Sequence, residues 1–160
     1  MKLDRYDRKI LNILQENART TTKEIAAVLG LSVTPTYERI KRLERQGYIR
    51  QYVALVDSSK VGKQLTVLAS VGLKEHSREH LNRFVEQINP LQEVMECYYV
   101  AGSFDYIIKV VVSNMDAYQH FLVNKLAAIE NIGHVQSYFV MTEIKHSTAI
   151  PLQLKEGEKP

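Results

Sequence analysis

The residue types that could do chemistry concentrate between positions 32 and 45, at the spacing of one face of an α-helix. At about 100° per residue, one side of this helix carries hydroxyl, phenol, carboxylate and cationic groups: Thr34, Tyr37, Glu38, Lys41 and Arg45. Thr36, Ile40 and Leu43 share the opposite side, which is typical of a core-facing surface. The polar groups are of the kinds that hydrogen-bond base edges and neutralise phosphates in the major groove of DNA.

Three further residues join this candidate DNA surface. Ser32 precedes the helix as its cap, and Arg39 and Arg42 lie on the flanks of the polar face. The two arginines are better placed for contacts with the DNA backbone than with bases. An ordinary solvated helix surface with scattered charge is the alternative interpretation, and the preceding residues decide between the two.

A shorter helix comes just before this one and would position it. Thr21 and Glu24 form a capping box at its start, and Gly30 supplies the left-handed residue that ends a helix after about two turns. Its apolar stripe consists of Ile25, Val28 and Leu29. Pro35 falls in the first turn of the following helix, which Gly47 ends. Two capped helices joined by a tight turn predict a helix-turn-helix, with the second as the recognition helix.

A third helix is predicted ahead of this pair, at residues 4–17. Its apolar stripe consists of Leu3, Ile10, Leu11 and Leu14. Asp4 and Asp7 suit the positive N-terminal end of such a helix. Residues 1–52 hold 11 Lys and Arg against 6 Asp and Glu, whereas residues 53–160 hold 10 against 12. Because the basic part is the helical part, we assign a DNA-binding domain to residues 1–52.

The chain changes character after these helices. Residues 48–56, YIRQYVALV, are rich in β-branched and aromatic types and predict a strand, and the Asp-Ser-Ser sequence that follows marks a turn. We assign residues 53–65 to a linker. At the other end, residues 151–160 are charged and finish in proline, which predicts a frayed tail.

Residues 66–150 alternate between strand and helix patterns. Strands are predicted at 66–74, 93–102, 106–112 and 133–144, and helices at 78–88 and about 115–129. The apolar side of the first of these helices consists of Leu81, Phe84, Val85 and Ile88. The order βαββαβ predicts a ferredoxin-like sheet with both helices on one face, so the chain as a whole belongs to the α+β class.

In two strands of this sheet, apolar and polar residues do not alternate, as they would if one face of the sheet met water. Their apolar residues follow one another in Val67, Leu68, Ala69 and Val71, and in Ile107, Ile108, Val110, Val111 and Val112. We therefore expect the second face to be buried against the same face of another copy. A homodimer would also pair two recognition helices for adjacent major grooves of a pseudo-palindromic site.

Several functional classes are disfavoured by composition. No signal-like segment and no run of 18 apolar residues are present, so we expect no membrane partner and a cytoplasmic location. Cys97, the single cysteine, excludes an intrachain disulfide or a multi-thiolate zinc site and is predicted to be a buried strand residue. His76 and His80 are spaced as on a helix, but without a carboxylate in register they predict no metal site.

Four separated segments resemble the Lrp/AsnC, or feast/famine, regulators of bacteria and archaea. They are residues 3–11, 31–49, 102–110 and 124–145, and the match covers nearly the whole chain. The resemblance implies a winged helix-turn-helix DNA-binding domain, a βαββαβ domain for amino-acid response, and dimers that often assemble into octamers. It also implies that small effectors bind between dimers near the loop that corresponds to residues 102–105.

That loop has residues suited to a free amino acid, which presents an ammonium group close to a carboxylate. Asp105 can accept from the ammonium, Gly102 lets backbone amides approach, and Ser103 adds a hydroxyl. Gln136 and Ser137 are the predicted side-chain selectors on the facing strand. Many relatives carry an acid where Ser103 stands, so a neutral amino acid is the expected effector. A tight turn without a binding role is the alternative, since glycine, serine and aspartate form turns.

The predicted function is a sequence-specific transcription regulator that responds to an amino acid. The alternative is an architectural DNA-binding protein of the same fold that acts without an effector. An enzyme is not expected, because residues 66–150 show no phosphate loop, no metal-ligand cluster and no set of nucleophile, base and orienting group. We likewise expect no cofactor.

Overall fold

The computed structural model describes residues 3–153 and divides the chain into two compact units. The first contains the described parts of Met1–Leu55 and Lys145–Pro160, and the second is Val56–Ile144. The assignment of residues 1–52 to a DNA-binding domain, 53–65 to a linker and 66–150 to an effector domain stays a prediction.

Helix α1 (Arg5–Glu16), helix α2 (Thr22–Leu29) and helix α3 (Val33–Arg45) form the first unit. The capping box predicted at Thr21 and Glu24 is present. A second one, which was not predicted, begins α1, where the Asp4 and Asp7 side chains each accept from the other residue's backbone amide. Gly30 ends α2 at φ 68°, in the left-handed region where glycine has no steric penalty. The three-helix prediction is confirmed.

The core of this unit is apolar and comes from all three helices: Ile10, Leu11, Ile25, Leu29, Ile40 and Leu43. Two details of the predicted pattern are wrong. Val28 is 65% exposed, and Ala26 occupies the buried position on α2 instead. Ser32 stands at the start of α3, but its side chain makes no capping hydrogen bond. Thr36 Oγ1 instead donates to the Ser32 carbonyl at 3.0 Å.

The strand predicted at residues 48–56 is wrong. This stretch has no strand structure, and it is exposed over nearly its whole length, including Tyr52, Val53 and Leu55. A strand is defined by backbone pairing, and no described segment pairs with this one, so β-forming residue types alone are insufficient. Asp57 then caps a single 3₁₀ turn at Ser58–Val61 by accepting from the Ser59 amide.

The second unit follows the predicted βαββαβ order. Its elements are β1 (Leu65–Leu73), α4 (Arg78–Ile88), β2 (Val94–Tyr99), β3 (Tyr106–Val112), α5 (Met115–Phe121) and β4 (Ile132–Phe139). The sheet order is β2-β3-β1-β4, and every neighbouring pair is antiparallel. This is the ferredoxin-like arrangement, so the predicted fold class is confirmed.

Both helices cover one face of this sheet. The inward residues of β1 and β3 pack against the helices in one apolar core, which contains Val67, Ala69, Val71, Ile108, Val110, Phe84, Ile88, Phe121 and Leu126. The Phe84 and Tyr106 rings stack with centroids 4.2 Å apart. Val85, predicted to join this core, is instead exposed.

Helix α5 is shorter than the predicted 115–129. After Phe121 the backbone widens into five residues of π-helix, Leu122–Leu126, although Ile129 beyond them is still buried. Cys97 lies in β2 as predicted but is only partly buried, and this burial raises the pKa of its thiol.

The end of the described chain returns to the first unit. Asn12 Nδ2 donates to the Leu152 carbonyl at 3.0 Å, and Gln15 Nε2 donates to the Ile150 carbonyl at 3.0 Å. The Leu152 side chain packs against the helical core. The expectation of a frayed tail is therefore wrong for residues 151–153, and the rest of that tail lies outside the described residues.

Candidate DNA interface and effector loop

The polar face of α3 is exposed as predicted. Thr34, Tyr37, Glu38 and Arg45 are all exposed, whereas Thr36, on the opposite side, is fully buried. The side chains that hydrogen-bond bases and phosphates are therefore accessible along one side of the recognition helix. Their contact with DNA stays a prediction.

Lys41 is less free than the sequence suggests. Its Nζ lies 2.7 Å from Glu44 Oε2 and 5.6 Å from the centre of the Tyr37 ring. The hydrogen bond and charge of Glu44 raise the pKa of Lys41, and the same hydrogen bond lowers the pKa of Glu44. The ammonium group stays charged, but it is held along the helix by these two neighbours.

Tyr52 fixes the exposed segment that follows the recognition helix. Its hydroxyl donates to Glu44 Oε1 at 3.0 Å. Partial burial and the neighbouring Glu44 carboxylate raise the pKa of Tyr52 to about 12. The last turn of α3 is thereby joined to residue 52.

The two flanking arginines differ most from expectation. Arg39 Nη1 lies 2.5 Å from Asp4 Oδ2 and 2.9 Å from Asp7 Oδ1, and Arg42 Nη2 lies 2.6 Å from the same Asp7 oxygen. The Arg39 guanidinium also lies 5.3 Å from the centre of the Tyr6 ring. Both arginines are thus paired with carboxylates at the start of α1, a contact that their flanking position on α3 did not indicate.

The cluster favours the charged form of the Asp4 carboxylate. Burial disfavours the charged form of Asp4, but hydrogen bonds from the Asp7 amide and the Arg39 guanidinium outweigh burial and lower the pKa of Asp4. The paired carboxylates raise the pKa of Arg39. The sequence pattern identified Asp4 and Asp7 only as helix-end charges.

Val33 is a surface residue that the sequence analysis left out. It opens α3 and is 49% exposed on the helix that carries the polar face. It stands four residues before Tyr37, so both lie on the same side of the helix. That spacing could have identified it.

In the second unit, Asp105 is the best-anchored member of the predicted effector loop. Its Oδ2 accepts from the Leu73 amide at 2.7 Å, and its Oδ1 lies 3.0 Å from His76 Nε2. Its own amide donates to the Val71 carbonyl at 3.0 Å. Asp105 therefore joins the loop to the end of β1, a role that turn-forming propensity did not indicate.

Gly102 and Ser103 project away from this anchor. Both are exposed, and a Cβ placed on Gly102 would have no heavy atom within 4 Å. The neighbouring Phe104 ring lies 5.0 Å from the ring of His134 on β4. His134 is thus the β4 side chain that reaches the loop, and the sequence analysis missed it.

Gln136 and Ser137 cannot both serve the loop within one chain, because successive strand residues point to opposite faces. The Ser137 hydroxyl lies 2.5 Å from the Tyr118 hydroxyl on the helix-covered side. Gln136 pairs with Ser70 on the other side of the sheet. Ser137 is therefore a core partner of α5, which corrects its prediction as a selector.

The uncovered sheet face is partly apolar. Leu68 is 40% exposed and Ile107 is 38% exposed, and Tyr98 and Tyr138 are exposed on the adjacent strands. The register places Tyr98 opposite Ile107 and Tyr138 opposite Leu68. Burial along β3 alternates strictly, so its continuous apolar sequence reflects two different surfaces and not one deep core.

Two classes of site do not occur in the described part of the chain. Among residues 3–153, no three His, Cys, Asp or Glu side chains are grouped to hold a metal ion. Over the same residues, no helix combines the length and apolar character needed to cross a membrane.

A helix-turn-helix with an exposed polar recognition helix, followed by an antiparallel βαββαβ unit, defines a DNA-binding regulator with a separate ligand-binding domain. The family models agree with both halves. One for winged helix-turn-helix DNA-binding matches residues 3–50, and one for the Lrp/AsnC ligand binding domain matches residues 66–150. The chain belongs to the Lrp/AsnC family of transcriptional regulators.

Named relatives span the same length. The Bkd operon transcriptional regulator of Pseudomonas aeruginosa is 37% identical over 151 residues, covering 94% of this chain and 99% of that protein. The leucine-responsive regulatory protein of Escherichia coli is 36% identical over 153 residues, covering 96% and 93%. Both relatives are named as regulatory proteins.

Solved structures share the whole fold. An AsnC family transcriptional regulator from Agrobacterium tumefaciens is 43% identical, with a TM-score of 0.89 and coverage of 93% of this chain and 97% of that one. A transcriptional regulator from Neisseria meningitidis in complex with L-Met is 34% identical, with a TM-score of 0.89 and coverage of 94% and 97%.

Proposed function

We propose that this regulator changes its DNA binding in response to a neutral amino acid held between dimers near residues 102–105. The supporting observation is the loop itself. Asp105 fixes its base to β1, while Gly102 and Ser103 stand exposed with open space around the glycine. The exposed glycine leaves the loop backbone accessible to a small ligand. The L-Met complex of the Neisseria meningitidis protein supports an amino acid as the ligand class.

The anchoring of Asp105 refines its proposed role. A carboxylate offers about four lone-pair positions, and the Leu73 amide and His76 face only part of them. Asp105 can therefore hold the loop and still accept from an ammonium group. Gln136 on the uncovered face and His134 beside Phe104 are the β4 side chains available to the ligand, of which His134 contacts the loop directly.

The proposed DNA contacts come from the recognition helix of each protomer. Ser32, Thr34, Tyr37, Glu38, Lys41 and Arg45 are the proposed contact set, and Val33 is added to it on the strength of its exposure. Hydroxyl, phenol and carboxylate groups would read base edges, while Arg45 and Lys41 would approach phosphates. The target is a pseudo-palindromic operator on cytoplasmic DNA.

Dimerisation through the uncovered sheet face would supply the two-fold symmetry for such an operator. Leu68, Ile107, Tyr98 and Tyr138 give this face a shared apolar surface across all four strands. A self-complementary patch of this kind suits an isologous dimer, and dimers would assemble further into an octamer.

The test is the melting temperature of the purified full-length protein with each of the twenty amino acids at millimolar concentration. A ligand at 100 times its dissociation constant adds about 2.7 kcal/mol, which raises the transition by several degrees. Gly102→Leu should abolish the shift, because the new side chain takes up space beside the loop backbone at a position where its Cβ has no heavy atom within 4 Å. Gln92→Leu, in an exposed turn away from the loop, is the matched control.

The outcomes separate the two functions. A shift with one or a few amino acids, lost in Gly102→Leu and kept in Gln92→Leu, supports the effector site. No shift with any amino acid, in a protein that still binds DNA, would favour the effector-independent architectural protein.

A further inference from the structure

The carboxylate of Asp7 on α1 is the centre of an ion-pair cluster that contains two cations of the recognition helix. Its side chain is 1% exposed. One of its oxygens contacts Arg39 at 2.9 Å and Arg42 at 2.6 Å, and the other accepts from the Asp4 amide at 3.2 Å. Both oxygens of this buried group are therefore satisfied.

The formal charges of the cluster also balance. Asp4 supplies the second carboxylate, at 2.5 Å from Arg39. The Arg39 guanidinium is further supported by the Tyr6 ring. Two carboxylates thus neutralise two guanidinium groups at the junction of α1 and α3, next to the exposed polar face.

This arrangement determines whether Arg39 and Arg42 can contact DNA phosphates. If either guanidinium moved to a DNA phosphate, Asp7 would lose a partner while remaining buried. A buried charge that loses its partner is strongly unfavourable, because no water replaces the lost interaction. Arg45, by contrast, is exposed, and its departure towards a phosphate would leave no buried charge behind.

We propose that Asp7 is a positioning residue for DNA recognition: through Arg39 and Arg42 it fixes the orientation of α3 and withholds both guanidinium groups from the DNA phosphates. The inference rests on the DNA-binding role of this unit. The phosphate contacts of α3, which make DNA binding depend on salt, then come from other cations, chiefly Arg45.

The first experiment compares wild type with Asp7→Asn by fluorescence anisotropy on a random-sequence 30-bp duplex over a range of KCl concentrations. Each phosphate neutralised contributes about 0.9 to the slope of log affinity against log salt. Release of Arg42 should steepen the slope by about 1, and the slope should steepen by about 2 where Arg39 also leaves its second partner, Asp4; either release should raise affinity for the random duplex at low salt. Preference for a duplex selected by the wild-type protein should fall by about tenfold.

Glu16→Gln is the matched control, since it removes the same charge from an exposed position on the same helix. It should leave the salt slope unchanged. The double variant Asp7→Asn/Arg42→Gln should recover part of the wild-type slope, because one of the released cations has been removed.

A second measurement stands even if Asp7→Asn fails to fold. Arg42→Gln alone should leave the salt slope of wild type unchanged, because Arg42 makes no phosphate contact. A drop of about 0.9 in that variant would overturn the proposal. So would a folded Asp7→Asn protein whose slope equals that of Glu16→Gln, which would indicate a purely structural ion pair. Absence of DNA binding by wild type would instead contradict the DNA-binding role itself.

Discussion

The carboxylate of Asp105 accepts a hydrogen bond from the amide of Leu73, with 2.7 Å between Oδ2 and nitrogen. The pairing of β1 with β4 shifts register between Gly72 and Leu73, so the strand is irregular at this point. The Asp105 side chain thereby provides the hydrogen-bond acceptor for a backbone amide at the end of a central strand. The position of residues 102–105 is fixed by this contact.

Asp105→Ala should destabilise the second unit by about 1 to 3 kcal/mol, because it leaves the buried Leu73 amide without its acceptor. Asp105→Asn keeps an acceptor oxygen and should cost clearly less. Urea unfolding and hydrogen exchange at the Leu73 amide measure the difference. Equal, small effects of both substitutions would contradict this role.

Arg45→Gln should weaken binding to a random duplex and lower its salt slope by about 0.9, because one exposed phosphate ligand is lost. Anisotropy titrations at several KCl concentrations measure both quantities. Arg78→Gln removes the same charge from an exposed position in the second unit and serves as the control. An unchanged slope in Arg45→Gln would remove Arg45 from the DNA surface.

Ile107→Lys should prevent dimerisation, since it places a charge at the centre of the apolar uncovered face. Light scattering at micromolar concentration should show a mass falling towards 18.4 kDa. Val123→Lys, an exposed apolar position in the segment that continues α5, should leave the dimer intact. A wild-type protein that is itself monomeric would refute the proposed dimer.

Tyr52 should give the first unit a component of stability that is lost in alkali. Its pKa is raised to about 12 in the folded chain, against about 10 for an unfolded tyrosine. Because the folded-state pKa is the higher one, this contribution is complete below pH 10 and disappears as the pH rises through 12.

The measurement is the difference in free energy of unfolding between wild type and Tyr52→Phe, from urea titrations at pH 9 and at pH 11.5. The difference should shrink at the higher pH, since the phenylalanine variant has no hydroxyl to ionise. A difference that is constant between the two pH values would show that the Glu44 hydrogen bond does not shift this equilibrium.

Local interactions are the part of this molecule that its sequence could predict. The capping box at Thr21 and the left-handed stop at Gly30 join residues three or four positions apart, so they depend on little else. Apolar periodicity likewise located the helices and the βαββαβ order. The exposed face of α3 followed from the same periodicity.

The remaining features depend on contacts between residues that are distant in sequence. Asp7 meets Arg42 across 35 positions, Asp105 meets Leu73 across 32, and Asn12 holds Leu152 across 140. No local pattern encodes which of several carboxylates will be buried beside which cation. Local sequence therefore identified Asp7 as a helix-end charge, and Asp105 as an ammonium acceptor or a turn former. Their contacts with residues distant in sequence were not predicted.

The sequence by itself determined the three N-terminal helices and the βαββαβ order, because turn geometry, capping and side-chain period are local properties of the chain. The tertiary structure decided whether residues 48–56 find a strand partner, which sheet face Ser137 joins, and which arginines of α3 stay free. Each of these depends on what other parts of the chain supply in space: a backbone to pair with, the Tyr118 hydroxyl, or the buried carboxylate of Asp7.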